Sequence, residues 1–273
     1  IDSGTSLLSS VSSPTRLSPY ANVYTQLIGT FTLLFSTLNS LPAPVLAVCR
    51  VQLWAWIAWF PFLFYASSWV AQQPGGSVRA GSRALLANAV VSLATMMLAP
   101  RMVGASHATG YEGRLFAIWA GSLVLFFMLM QATLLVRGVG WATVLIAAVG
   151  VPWGVANWAP FGVLAEVIAE EEVGTRPTVH DSVEMEEAAV DLDNDGATLG
   201  PAQSRAGMIL GIHNMYIVFP QFIATLLSSF IFWLSQGDAS SARDSFGLSL
   251  RVASVCALVA AGIADRVARK GAV

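Results

Sequence analysis

Within the apolar run 208–234, the polar residues Asn214, Gln221, Thr225 and Ser228 recur at offsets of 0, 7, 11 and 14, which places them on one face of a helix. Earlier in the chain Asn157 follows Trp153 by one helical turn, and Trp54, Trp56 and Trp59 crowd another apolar run. A carboxamide both donates and accepts hydrogen bonds, so a wall of them suits a hydroxyl-rich ligand, and flat indole faces suit the apolar face of a pyranose ring. The same groups serve equally as hydrogen bonds between helices and as tryptophan anchors at a membrane interface. Two ionisable residues, Glu166 and His213, stand near the ends of apolar runs and are candidates for a proton relay or gate; snorkelling to the interface is the plainer account of both.

Catalytic patterns are missing. No GxSxG, HExxH or P-loop sequence is present, and His107, His180 and His213 have no companion at metal-ligand spacing. Asp191-Leu-Asp193-Asn-Asp195-Gly196 satisfies the first half of a calcium loop, but the twelfth position, which must supply a bidentate carboxylate, is Ala202. A solvated acidic loop is the simpler reading. Cys49 and Cys256 fall at or inside apolar stretches and read as small hydrophobes, not as a disulfide or metal framework. No enzyme activity, metal or organic cofactor is expected.

The elements that must position these residues follow from composition. Of 273 residues, 55% are hydrophobic and 11% charged, with a mean hydropathy of +0.65. Soluble domains carry about 25% charged residues. Charge-free runs cover 17–49, 51–78, 84–100, 115–136, 138–165, 206–237 and 252–264. A bilayer crossing needs about 20 mostly apolar residues. A soluble enzyme, a nucleic-acid binder and a disordered protein are poor readings, and an all-α polytopic membrane protein is predicted. The formal net charge of −2 hides a split: residues 170–205 carry a local −8, and the rest of the chain +6.

Residues 1–20 are rich in Ser, Thr and Pro and read as a flexible cytosolic leader; the start at Ile1, without Met, reads as that of a partial sequence. Over 21–44, Val23, Leu27, Phe31, Leu34 and Leu38 recur at helical steps before Leu41-Pro42-Ala43-Pro44. This predicts an amphipathic helix lying on the membrane, with a seventh span as the alternative. Transmembrane helices one to four are expected within 45–168, at about 45–70, 84–103, 115–136 and 141–167. An acidic cytosolic loop then covers 169–206, spans five (208–234) and six (246–264) fall within 207–266, and 267–273 is a cytosolic tail. Counting Lys and Arg alone, nine against five favour both termini inside. Helix breakers, namely Pro61, Gly150, Pro152, Gly154, Pro160 and Pro220, mark either packing kinks or interrupted helices lining a pathway.

The stretch Ala55-Trp-Ile-Ala-Trp-Phe-Pro-Phe-Leu-Phe-Tyr65, through Trp69, and the stretch Gly211-Ile-His-Asn-Met-Tyr-Ile-Val-Phe-Pro-Gln221 resemble the sucrose and alpha-glucoside proton symporters. These form part of the glycoside–pentoside–hexuronide group of the major facilitator superfamily, and the fungal members are most similar in character. Val78-Arg79-Ala80-Gly81 also resembles a basic site that opens the eighth helix of such carriers, although the acidic residue that follows the arginine in many relatives is Ala80 here. The match covers about 35–264 and is weakest in the acidic loop.

This resemblance implies that the chain supplies the carboxyl-terminal six helices of a twelve-helix transporter, working with an amino-terminal half and carrying a disaccharide with a proton by alternating access. It implies a role for Arg79 in sugar binding or coupling. With it, Trp153, Asn157, Asn214 and Gln221 are the candidate substrate-binding residues, and Glu166 and His213 the candidates for gating or coupling. The implied partners are the sugar, the lipid bilayer and the other half, with H+ as coupling ion and no nucleic acid. Plasma membrane is the implied location, with the vacuolar membrane as the alternative. A sugar sensor or scaffold signalling through the acidic loop is the competing reading.

Overall fold

The computed structural model describes residues 41–104, 110–175, 201–235 and 239–270. The expected leader, the amphipathic segment 21–40, residues 176–200 of the acidic loop with its calcium-like motif, and the last three residues of the tail lie outside the described residues, as do His107 and His180. The helices belong to one compact unit, Pro42–Val273.

Every described element is helical: α1 (Ala43–Ala71), α2 (Val78–Val103), α3 (Tyr111–Ala132) with a 3-10 turn at Thr133–Leu135, α4 (Val139–Thr175), α5 (Pro201–Val218), α6 (Pro220–Leu234) and α7 (Ala239–Lys270). They supply six segments long and apolar enough to cross a membrane, the fifth being Ala206–Leu234, which joins α5 to α6.

Helix ends follow local chemistry. Pro42 and Pro44 open α1, where a fixed φ and a missing N–H cost nothing. α2 begins six residues ahead of the expected start, because the Ser77 side chain caps it by accepting the Ala80 N–H at 3.2 Å. Arg79 and Arg83 therefore stand in its first two turns. α4 runs unbroken through Pro152 and Pro160 for 37 residues and continues into the first part of the expected acidic loop. The breakers in α4 thus do not interrupt it. Among the prolines inside the described spans, Pro220 is the one at which the helix divides: Phe219 keeps helical angles (φ −56°, ψ −42°), Pro220 has no N–H for the Tyr216 carbonyl, and the Phe222 N–H turns to the Phe219 carbonyl at 3.2 Å.

α1 is the most enclosed helix, packing on α7, α2 and α6, while α3 packs on α7 and α4, and α2 on α4. Glycines set the closest approaches. A Cβ on Gly81 would lie 2.5 Å from the Ser67 carbonyl of α1, and one on Gly154 2.8 Å from the Ser92 carbonyl of α2. A Cβ on Gly150 would collide with the Asn88 carbonyl, and across the same seam Asn88 Nδ2 donates to the Ile146 carbonyl at 2.9 Å. The Gly150/Gly154 pair is a packing device. Gly207 and Gly211, at the same spacing on α5, meet nothing within 4 Å. Inside a bilayer such seams are held by close packing and interhelical hydrogen bonds, since lipid tails are as apolar as the side chains they would replace. The outward faces of α2 (Leu86, Val90, Leu93) and α6 (Phe222, Leu226, Phe230) are broadly apolar, as lipid or a helical partner requires.

Candidate functional site

The centre of the bundle is aromatic. Trp59 of α1 is 1% exposed and lies with its ring centroid 3.9 Å from that of Phe126 of α3. Trp153 of α4 meets it edge-on at 4.9 Å and 70°, and meets Trp56 at 6.0 Å and 76°. Edge-to-face pairs of this kind are the favoured aromatic geometry. Trp56, Trp153 and Asn157 are half-buried, so their outer edges form a surface near the middle of α1 and α4. Asn157 Nδ2 donates to the Trp153 carbonyl at 2.8 Å, which ties one amide proton to its own helix and leaves the carbonyl oxygen to accept. Trp54 turns away from this cluster.

The polar stripe of span five divides. Asn214, Gln221 and Thr225 are exposed, and Thr225 Oγ1 donates to the Gln221 carbonyl at 2.8 Å. Ser228 is buried with Pro220, Ala224 and Ile231 on the packed face of α6. At about 100° per residue Gln221 and Thr225 flank that packed face. Among the described residues, no hydrogen bond or ring contact joins the stripe to Trp153 or Asn157.

The remaining candidates are spread along the bundle. Arg79 is exposed in the first turn of α2, about 17 Å along the axis from the helix midpoint at 1.5 Å per residue. It is therefore not part of the aromatic surface. Glu166 is half-buried on α4, within electrostatic reach of Tyr111 and Glu112 of α3. His213 is fully buried, and its neighbours place it at the junction of three helices: its Nε2 accepts from Gln52 Nε2 of α1 at 3.0 Å, and its ring meets Phe161 of α4 edge-on at 5.1 Å. Its Nδ1 has no hydrogen-bond partner among the described residues.

Two participants escaped the sequence reading. Gln52, 2% exposed, shares a helix face with Trp56 and Trp59 at offsets of 0, 4 and 7, and that spacing was the available signal. Arg251, one of the five Lys and Arg residues counted on the outer side, is 9% exposed inside α7 and paired with Asp244.

Among the described residues no group of three or more His, Cys, Asp and Glu could hold a metal ion. What the centre offers is half-buried indole surface with the Asn157 amide beside it, groups whose chemistry suits a hydroxylated ring.

No family model matches the chain. It is 22% identical to the general alpha-glucoside permease of Schizosaccharomyces pombe over 85% of its own length and 51% of that protein. It is 24% identical to the sucrose transport protein SUC3 of Arabidopsis thaliana, over 71% of its length and 32% of the relative. To the sucrose transport protein SUT5 of Oryza sativa subsp. indica it is 23% identical, over 83% and 42%. The chain spans about half the length of these relatives or less. They are transporters and not enzymes, in keeping with the expectation from the sequence. With six helices of crossing length, the chain is a multi-pass integral membrane protein, similar over most of its length to an alpha-glucoside permease and to sucrose transport proteins.

Proposed function

We propose that this chain forms one six-helix half of a carrier that moves a disaccharide, sucrose or an alpha-glucoside, across a membrane together with protons by alternating access. The observation that carries the proposal is the similarity to an alpha-glucoside permease over 85% of the chain. The Trp56–Trp153–Asn157 surface supports it by offering indole edges and an amide oxygen at mid-helix, where transporters place their sites. Trp153 and Asn157 form the sugar-facing wall, Asn214 and Gln221 line the approach on span five, and Arg79 acts at the mouth. His213 and Glu166 are the gating or coupling groups. A second six-helix half completes the pathway, both ends of this chain face the cytosol, and the plasma membrane is the proposed location. Because the relatives are named as permease and transport proteins, carriage is favoured over sensing.

The test is uptake of labelled sucrose and maltose by the complete protein in cells lacking other carriers, with Trp153→Ala and Asn157→Ala compared at equal surface expression. Loss of one stacking or amide contact in a desolvated site is worth about tenfold in apparent affinity, at roughly 1.4 kcal/mol per decade. Uptake that is absent for every disaccharide tried, or that a protonophore leaves untouched, overturns the substrate or the coupling in turn.

A further inference from the structure

The two halves of span five are attached to the bundle in different ways. α6 seats Pro220, Ala224, Ser228 and Ile231 in the packed interior, and its Phe232 ring lies 5.1 Å from that of Tyr65 on α1. Over 206–218, α5 buries only Ile209, Ile212 and His213, and its Gly207 and Gly211 face open space. Between α5 and α4 lies an apolar groove of about 440 Å³, lined by Phe161, Leu164, Ala165, Ile168, Ala169 and Leu210. The junction of the halves is the missing backbone bond at Pro220, just after the Phe219 N–H has bonded to the Met215 carbonyl at 2.9 Å. α5 is thus a lightly packed arm with a weak point at one end. Among the described residues, the polar side-chain bond that ties it to the core runs from the buried Gln52 to the buried His213.

We propose that Gln52 is a positioning residue that latches the arm. Its amide holds His213, and with it α5, against α1; when that bond breaks, α5 swings about Pro220 and changes the width of the groove against α4. The His213 ring has no second hydrogen bond among the described residues, so the Gln52 bond is made or lost as a unit, giving two discrete arrangements of the arm and not a continuum. One buried hydrogen bond suffices to shift an open-to-closed ratio about fivefold. The latch deepens the carrier reading, on which it rests only for what the motion serves.

The experiment reads the arm without sugar. Leu210→Cys, on α5 and lining the groove, is introduced into the complete protein with Cys49 and Cys256 replaced by serine and alanine, and its rate of labelling by a maleimide is measured in membranes. Gln52→Met, which keeps the length of the side chain and deletes the amide, is expected to change the rate about fivefold and to speed hydrogen–deuterium exchange across 206–218. The reciprocal exchange Q52H/H213Q, which rebuilds the bond with its ends reversed, is expected to restore the parent rate, and Pro220→Ala to suppress the change. Equal labelling and exchange in parent and Gln52→Met, with both eluting as one species in detergent, overturns the latch. Should the exchanged pair fail to fold, the Gln52→Met comparison decides alone. A protein that carries no disaccharide yet shows these shifts loses the substrate reading and keeps the latch.

Discussion

Arg251, buried in α7, ion-pairs with Asp244 seven residues earlier and donates from Nη1 to Thr133 Oγ1 at 3.2 Å, so one guanidinium fastens the start of α7 to the end of α3. The network extends on both sides. Gln131 Nε2 donates to the Arg251 carbonyl at 3.2 Å and to Ser254 Oγ at 2.9 Å. A Cβ on Gly247 would lie 2.9 Å from Arg251 Nη1 and 3.1 Å from Trp69 Nε1, so the glycine lets α1 close over the pair.

The two charges are not equivalent. The Asp244 side chain is 55% exposed and can be hydrated when its partner is removed, whereas the Arg251 guanidinium cannot. Asp244→Ala is therefore expected to be the more damaging change, at about 3–5 kcal/mol for an uncompensated buried charge, and Arg251→Met the milder one. Thr133→Val removes one hydrogen bond to a charged group, about 1.5–3 kcal/mol. Thermal unfolding in detergent, run as a double-mutant cycle, checks this, and the D244A/R251M double variant is expected to be more stable than D244A alone. The reverse order would mean that the pair is solvated.

The helix seams make a second prediction. Gly150→Ala places a methyl group against the Asn88 carbonyl and 2.8 Å from Val91 Cβ, so α2 and α4 must separate. Overpacking of this kind costs about 1–3 kcal/mol. Gly121→Ala and Gly262→Ala, with nothing within 4 Å of the added carbon, are expected to be neutral or slightly stabilising, as alanine is the better helix former. Unfolding midpoints of the three variants settle the ranking, and equal midpoints would remove the α2–α4 seam as a determinant of stability.

Much of this architecture is legible from hydropathy because a crossing segment must be long and nearly charge-free, and runs such as 115–136 and 138–165 have that form. Rotation about the helix axis is not legible in the same way. The offsets 0, 7, 11 and 14 put Asn214 and Ser228 on one stripe, yet the packed face of α6 takes Ser228 inward and leaves Gln221 out, because the burial boundary falls between them. The position of Arg251 was hidden for a related reason. Charge near the end of an apolar run reads as a flank, and only the packing of Thr133 from the end of α3 and of α1 against Gly247 shows that the guanidinium is enclosed. Proline misleads in the opposite sense: Pro152 and Pro160 pass through α4 because neighbours and glycine seams support the helix, whereas Pro220 parts the ladder.

The divided stripe allows the binding role proposed for span five to be separated from a packing role. Asn214 and Gln221 are exposed, so alanine at either position is expected to change unfolding by no more than about 0.5 kcal/mol. If they line the approach of a sugar, the same substitutions raise the apparent KM for sucrose severalfold at equal surface expression. Ser228 supplies the contrast: its buried hydroxyl has no hydrogen-bond partner among the described residues, so Ser228→Ala removes an unsatisfied group. That change is expected to leave stability equal or higher and KM unaltered. Uptake kinetics and thermal unfolding of the three variants check both halves of the argument. Unchanged KM and rate in Asn214→Ala and Gln221→Ala would remove the stripe from the proposed binding site, leaving Trp153 and Asn157 as its candidates.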